Sequence, residues 1–450
     1  MLTKSEIRAM YMQPYERNRE ETDKRIADGI ETYRKGNFRI QVLNGDGKPA
    51  AGIRLHVNQI DHAFRHGANI FMLDEFDDPD YNAEYRRLFR EYFNLVTVPF
   101  FWKDNEREEG KPRYDKNSPR IYRRPPTDLC VEYCEANGIL PKLHCLVYDE
   151  WTPDWAINLP LPELKKKYEK RFREIAERYS GRMYEFEVIN EVLRLRALGY
   201  QLTSEPNVID WAFGLAREYF PKETLCINEA AMTPCMDRNA PYYLLIKDHL
   251  QKGVSIDKII LQNQQYTGVA AHNPEEYEND IRNGAFLSDP ANIFRGLDAM
   301  ASLGLPLEIG EVTVPTFGET EEDEQLQADM VKLWYSIWFS HPAVESVLYW
   351  NTPEGYAHTF HDNWVENRVR GGLFRHDLTP KKSALTLKKL FDEEWHTEGE
   401  FVTDQNGIVD FRGFFGTYHV AMLCADHCSS QKVTFLSNHQ DSCSVITMPV

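Results

Sequence analysis

Short apolar runs alternate with amphipathic helical segments along most of this 450-residue chain, and this alternation restricts the fold more than any other feature. Between residues 64 and 395 the apolar runs have the length of strands: HGANIFM, FNLVTVPF, ILPKLHCLV, YEFEVIN, TLCINE, DKIILQNQ, LPLEIGEV and VESVLYW. Segments with helical periodicity, such as LPELKKKYEKRFREIAERYS, separate them. Strand and helix alternating eight times predicts an α/β fold, a (β/α)8 TIM barrel.

An open, doubly wound sheet is the alternative that shares this alternation. Its dinucleotide-binding form carries G-x-G-x-x-G after the first strand, and this sequence has no such motif there. The sequence also lacks an apolar stretch of the roughly 20 residues that cross a bilayer. We therefore favour the barrel and expect no membrane partner.

The two ends of the chain show a period of two in place of the helical period. A helical lead-in over residues 1–35 precedes an N-terminal β segment over 36–63, and a C-terminal β segment covers 396–450. Hairpin turns are expected at Asn44-Gly45-Asp46-Gly47, at Asn406-Gly407 and near Asn438. Because neither β segment alone buries much apolar surface, we expect both to join in one small accessory β-sandwich beside the 64–395 barrel.

Composition narrows the class of partner. The net charge of −18 disfavours nucleic acid, because phosphate binding needs a basic surface. The pairs Cys130/Cys134 and Cys424/Cys428 share a C-x-x-x-C spacing, but neither has a second cysteine pair beside it, so no metal is predicted. The N-terminus carries no apolar run typical of a secretion signal, and a cytoplasmic location is expected.

Polar side chains follow the predicted strands, at the barrel end where functional groups collect. They are Lys103, His144, Asn190-Glu191, Asn228-Glu229, Gln262 with Gln264, Glu311 and Trp350-Asn351. Glu191 and Glu311 each follow an apolar strand directly, the fourth and the seventh, which face one another across a barrel mouth. Two such carboxyls suit retaining glycoside hydrolysis, in which one protonates the leaving oxygen while the other traps an oxocarbenium-like carbon.

Several segments together resemble glycoside hydrolase family 10, the family of β-1,4-xylanases and related retaining β-glycanases. They are HCLVYDEWTPDW, FEVINEVL, LCINEA, IILQNQ, LPLEIGEV, VLYWNTPEGY and the closing GGLFRHDLTPKKSA, in the order expected of the family. The resemblance covers about residues 64–394 and is strongest at the Asn-Glu segment and at the strand-7 glutamate.

The resemblance implies a role for each matching residue. Glu191 corresponds to the acid/base and Glu311 to the nucleophile, while Asn190 corresponds to the asparagine that contacts the sugar 2-hydroxyl. The remaining matches are expected to bind substrate: His144 after strand 3, Lys103 at the −2 sugar, Gln262 after strand 6, and Trp350 as the floor of the −1 subsite.

The sequence departs from the family on the side that holds the glycone. Pro99 and Phe100 stand where the family has Glu-Asn, and Tyr148-Asp149 stand where it has Trp-His. Gln264 replaces the histidine that bonds the nucleophile; it can donate to a carboxylate but cannot carry a charge. Tyr148, Asp149 and Gln264 are still candidates for substrate contact.

We therefore expect a retaining β-glycoside hydrolase that cleaves β-1,4-linked xylan or xylo-oligosaccharides, with no cofactor and a saccharide as its partner. The same chemistry on another β-linked plant or microbial oligosaccharide, with exo action, is an alternative. Bulky residues near Phe101 could close the cleft into a pocket in that case. A catalytically silent sugar-binding barrel is a further alternative, although such a protein would be expected to lack one of the two glutamates.

Overall fold

The computed structural model describes residues 2–358, 364–423, 428–436 and 442–448. The chain forms two compact units. The first contains Met1–Asn18, His66–Tyr335 and Ala343–Leu385, and the second contains Arg19–Arg65, Ser336–Pro342 and Thr386–Val450. Cys424 and the turn expected near Asn438 lie outside the described residues.

A closed barrel of parallel strands forms the first unit, which confirms the predicted fold class. Its strands are β3 (Arg65–Asn69), β4 (Leu95–Pro99), β5 (Leu140–His144), β6 (Glu185–Asn190), β7 (Thr224–Glu229), β8 (Lys258–Gln264), β9 (Leu307–Thr313) and β10 (Val344–Tyr349). Neighbours in the barrel are neighbours in sequence, and β10 closes the ring against β3. Every residue of β4 and of β9 is buried, as expected of parallel strands covered on both faces.

Helices connect the barrel strands, two more lie before the first strand of the chain, and one follows β10. They are α1 (Lys4–Arg17), α2 (Arg19–Tyr33), α3 (Pro79–Tyr92), α4 (Trp102–Asn105), α5 (Thr127–Asn137), α6 (Leu161–Tyr179), α7 (Val192–Ala197), α8 (Val208–Tyr219), α9 (Pro241–Gln251), α10 (Pro274–Gly284), α11 (Pro290–Ala301), α12 (Glu321–Ser340) and α13 (Lys382–Lys389). A π-helical turn, Leu390–Glu394, continues α13. Across the described residues, none of these helices is long and apolar enough to cross a membrane.

Two β-sheets, in which most neighbouring strands are antiparallel, form the second unit. Its strands are β1 (Lys35–Leu43), β2 (Arg54–His62), β11 (Glu398–Val402), β12 (Ile408–Phe414), β13 (Gly416–Leu423), β14 (Cys428–Phe435) and β15 (Cys443–Thr447). One sheet has the order β12-β1-β15 and the other the order β11-β2-β13-β14, so each sheet combines N-terminal and C-terminal strands. Phe38 on β1 stacks on Phe435 of β14 with ring centroids 4.4 Å apart, which fills the core between the sheets.

The expected hairpin pairing is wrong at both testable turns. The turn after β1 forms, with Asn44 Oδ1 accepting from the backbone N–H of Asp46 at 3.0 Å, but β1 and β2 belong to different sheets. The turn at Asn406-Gly407 also forms, with Gly407 at φ 73°, yet β11 and β12 again separate into different sheets. Local turn signals fix the bend, whereas the partner of each strand depends on burying its apolar face.

Candidate active site

A cavity of about 580 Å³ lies at the carboxyl ends of the barrel strands. Most of the side chains expected at the site line it: His144, Tyr148, Asn190, Glu191, Gln262, Gln264, Glu311 and Trp350. The fold brings them together because the carboxyl ends of parallel barrel strands meet at one face.

Glu191 accepts hydrogen bonds from a guanidinium, a hydroxyl and an amide. The residue directly follows β6 and has φ 54°, in the left-handed region, at the start of α7. The Arg194 guanidinium, one turn later, donates to Glu191 Oε2, and the Tyr148 hydroxyl donates to the same oxygen at 2.7 Å. Gln262 Nε2 donates to the other oxygen, Oε1, at 3.2 Å. These three hydrogen bonds fix the carboxyl at the cavity wall, on a residue whose backbone conformation is strained.

Glu311 is held by amides and by no cation among the described ion pairs. Asn228 Nδ2 donates to Oε1 at 2.9 Å, and Gln264 Nε2 donates to Oε2 at 2.7 Å. A register shift next to Gly310 pairs Ile309 with Leu261 and Glu311 with Gln262. A side chain at Gly310 would meet Ile260 Cγ2 at 2.3 Å, so the bulge that aims Glu311 into the cavity depends on glycine.

Burial raises the pKa of Glu311 well above its usual value. The nearby negative charges of Glu187 and Glu191 raise this pKa further, while the amide of Asn228 lowers it. Asn228 also donates to Glu187 Oε1 at 3.1 Å, so one amide spans the two carboxyls. The charged form of Glu311 is thus costly at this site.

One strand links the two glutamates. Gln262 and Gln264 stand two positions apart on β8 and therefore point to the same face. Gln262 donates to Glu191 and Gln264 donates to Glu311, so the spacing of the amides helps to set the positions of both carboxyls. Gln262 Nε2 also approaches Asn190 Oδ1 at 3.4 Å.

A buried histidine and a tryptophan complete the floor. His144 Nδ1 hydrogen-bonds to Glu187 Oε2 at 2.9 Å, and its ring meets the Trp350 ring edge-on with centroids 5.6 Å apart. His144, Cys145 and Glu187 bring potential metal-ligand atoms within 4.8 Å of one another. Burial raises the pKa of the Cys145 thiol well above its usual value, and Glu187 is engaged by His144, so we assign this group to hydrogen bonding.

Two expected substrate contacts do not line the cavity. Lys103 is exposed and donates to Asp154 Oδ1 at 2.6 Å, because it lies on the short helix α4 beyond the end of β4. Asp149 is fully buried and accepts from the backbone N–H groups of Leu202 and Thr203 at 2.9 and 3.0 Å. Asp149 thus fastens a loop, and we leave both residues out of the proposed site.

The cavity also contains residues that sequence reasoning missed. Arg194 and Glu150, which form an ion pair, line the cavity beside Glu191. The spacing of Arg194 from Glu191, three positions along a helix, was a usable signal. Phe71, Arg124 and Trp151 also line the cavity, from segments beyond the ends of the barrel strands. Phe101, which the sequence suggested as a bulky residue of a closed pocket, lines it with them.

Comparison with known proteins places this chain in a family. The model of glycosyl hydrolase family 10 matches residues 70–389. Anti-sigma-I factor RsgI6 from Acetivibrio thermocellus is 24% identical over 403 residues, 87% of this chain and 45% of that protein. Endo-1,4-beta-xylanase 1 from Arabidopsis thaliana is 25% identical over 434 residues, 94% of this chain and 40% of that protein. The chain thus spans less than half the length of these two relatives.

A solved structure shares the barrel. Xylanase 10B from Thermotoga petrophila RKU-1, in complex with xylobiose, superposes with a TM-score of 0.56 at 20% identity. The match covers 74% of this chain and 95% of that one.

Proposed function

The chain belongs to glycosyl hydrolase family 10, and we propose that it is a retaining β-glycoside hydrolase acting on β-1,4-linked xylan or xylo-oligosaccharides. The observation that carries this proposal is the pair of glutamates in one cavity, each bonded by an amide of the same strand. The names of the xylanase relatives support the choice of sugar. The cytoplasmic location expected from the sequence stays a prediction.

In the first step, Glu311 attacks the anomeric carbon while Glu191 gives its proton to the departing glycosidic oxygen. The bond from the sugar to that oxygen breaks as an ester to Glu311 forms. In the second step, Glu191 takes a proton from water, the water oxygen attacks the anomeric carbon, and Glu311 leaves as a carboxylate. Two inversions give net retention.

The two carboxyls lie in different environments. Burial leaves Glu311 poorly stabilised as an anion, and the charge of Lys142 offsets this only in part, so a developing positive charge at the anomeric carbon would attract it strongly. Glu191 touches Arg194 and Tyr148 at the cavity wall, where these donors support the carboxylate that must act as a base in the second step.

The other proposed contacts follow from position. Asn190 and Gln262 lie beside Glu191 and are proposed to bind the hydroxyls of the −1 sugar. Trp350 is proposed to stack on a sugar face, and His144, oriented by Glu187, to donate or accept at a ring hydroxyl. Tyr148 and Gln264 are proposed to act mainly by holding the two glutamates.

Replacing the nucleophile tests the chemistry. We expect Glu311→Ala to lose turnover of an aryl β-glycoside by at least about a thousandfold, because no covalent intermediate can form. Added azide should restore cleavage and give the inverted α-glycosyl azide, identified by NMR. Glu321→Ala removes an exposed helix glutamate that pairs with Lys382 and serves as the matched control. Full activity of Glu311→Ala without azide would refute the assignment.

A different β-linked sugar is the second candidate, and the glycone side of the cavity favours it. Lys103 and Asp149 do not line the cavity, so two of the expected polar contacts to the sugar are lost. A panel of aryl β-glycosides that differ in the sugar would separate the candidates through their kcat/KM values.

A further inference from the structure

We propose that the cavity is a pocket closed beyond the −1 sugar, so that the enzyme releases single sugars from the non-reducing ends of short β-1,4-linked oligosaccharides. This inference rests on the proposed function and specifies how many sugars the enzyme binds on the non-reducing side of the cleaved bond. It depends on the wall of the cavity near strands β3, β4, β5 and β10.

The wall is a line of aromatic rings in contact. Trp350 meets Phe71 with ring centroids 5.3 Å apart, Phe71 meets Phe101 at 5.9 Å, and Phe101 meets Trp151 at 4.7 Å. Rings at these spacings are in van der Waals contact, so a sugar ring cannot pass between adjacent members. By the resemblance, the −2 sugar would have to leave over the end of β4, where Phe101 stands.

A guanidinium reinforces the line of rings. The Arg124 guanidinium carbon lies 4.1 Å from the centroid of Phe101 and 4.8 Å from that of Trp151. Arg124 Nε donates to Asp104 Oδ2 at 2.8 Å, and both side chains are largely buried. Burial lowers the pKa of Arg124 to about 10, and Asp104 opposes that shift, so the residue is charged at neutral pH. Each ring in contact with it gains a cation–π interaction.

The segment that carries Arg124 is itself fixed. Arg123 Nη2 donates to Asn351 Oδ1 at 2.8 Å, which ties the segment to the residues after β10. Arg113, also buried, donates to the carbonyl of Pro119 at 2.9 Å and to that of Arg124 at 3.1 Å. These hydrogen bonds hold the segment that carries Arg124 against the wall.

The opposite half of the cavity differs. Small or partly exposed residues line it near Glu191, including Ala230 and Arg194, whose side chain is 36% exposed. This asymmetry places the leaving group on the Glu191 side, and a second glycone sugar would have to pass the line of rings. A site of this shape gains no transition-state binding from a −2 sugar.

Two aryl substrates test the closure. We expect 4-nitrophenyl β-xylobioside to be cleaved with a kcat/KM no more than about threefold above that of 4-nitrophenyl β-xyloside, whereas a −2 subsite would add binding energy to the transition state. A larger preference for the bioside overturns the pocket. If neither is cleaved, the proposed function fails, and calorimetry on Glu311→Gln with the same two glycosides tests the pocket separately, because both place the aryl group on the leaving-group side. Equal affinities support the pocket, and a clear preference for the bioside overturns it.

The first products give a second test. With xylotetraose carrying ¹⁸O at its reducing end, we expect unlabelled xylose and labelled xylotriose in early mass spectra. Xylobiose among the first products would mean internal cleavage and would overturn the inference.

Variants that remove a ring from the wall test directly whether the wall closes the pocket. Phe101→Ala and Trp151→Ala should each raise the ratio of bioside to monoside kcat/KM by about tenfold, because each removes a ring from the line. Lys103→Ala is the control, since Lys103 bonds to Asp154 outside the cavity, and its ratio should stay unchanged. Trp151 is only partly buried, so this variant should fold where Phe101→Ala does not. An unchanged ratio in every folded wall variant contradicts the closure.

Discussion

Replacing Glu311 by glutamine should abolish turnover and at the same time stabilise the folded barrel at neutral pH. The carboxyl is 4% exposed, and burial together with the charges of Glu187 and Glu191 raises its pKa well above the usual value. Glutamine has nearly the same shape and no charge. Its carbonyl oxygen can accept from Asn228, and its NH2 group can donate to Gln264 Oε1 once the Gln264 amide rotates. The substitution therefore removes an electrostatic cost and leaves the packing unchanged.

The sign follows from proton linkage. A carboxyl whose pKa is raised by folding keeps its proton in the folded state while the unfolded chain releases it, so stability falls as pH rises above about 4.3, the value in an unfolded chain. The advantage of Glu311→Gln should be absent below about pH 4 and then grow by about 1.4 kcal/mol per pH unit up to the pKa of the folded state. The gain in stability should therefore be larger at pH 7 than at pH 5.

Thermal unfolding from pH 4 to pH 8 measures this effect. For a unit of this size, 1 kcal/mol corresponds to a rise in Tm of about 2 °C. Glu191→Gln is the matched control, because Glu191 bonds to the Arg194 guanidinium and its loss leaves that cation with Glu150 alone. We expect this control to lower Tm. If Glu311→Gln lowers Tm at pH 7, or changes it equally at pH 4 and pH 8, the charge of Glu311 is not costly and the reasoning is refuted.

Two further variants probe the surroundings of the site and the second unit. Glu187→Gln removes a charge that raises the pKa of Glu311, so the acidic limb of the pH profile of kcat/KM should move to lower pH; an unmoved limb contradicts this coupling. Phe38→Ala should lower the stability of the sandwich by about 3–5 kcal/mol, because the ring is 1% exposed and stacks on Phe435. Activity of the folded variant on an aryl β-glycoside should be unchanged, because Phe38 does not line the cavity, and a loss of activity would contradict an effect confined to the sandwich.

The barrel was predictable because its signal is repeated and local. Each apolar run identified in the sequence overlaps a barrel strand, and the strand ends differ by only a few residues, as at YEFEVIN against Glu185–Asn190. The sandwich strands were also visible, but their pairing was not. Asn44-Gly45 and Asn406-Gly407 specify turns, whereas the sheet that each strand joins is decided by apolar residues hundreds of positions away.

At the site, too, residues that a local pattern positions were predictable, whereas residues positioned by contacts elsewhere were not. Glu191, Gln262 and Glu311 sit on or directly after strands, where the barrel dictates direction, and they meet in the cavity. Lys103 and Asp149 lie one turn further, in a short helix and a tight turn, where local hydrogen bonds decide direction. Arg124 reaches the cavity from a loop whose path depends on buried ion pairs. The period of apolar residues in the sequence does not predict the conformation of such a loop.

The two glutamates are equivalent in sequence and become different only through what surrounds them. Glu191 lies against a guanidinium and a hydroxyl, while Glu311 lies among amides and beside the further carboxyl of Glu187. The burial that raises the pKa of Glu311 also lowers the screening of its attraction to a cationic anomeric carbon. Its charge is therefore costly before the substrate binds and most favourable when the oxocarbenium-like carbon develops. Such a carboxyl stabilises the transition state more than the ground state, which is why its removal should raise stability and abolish activity together.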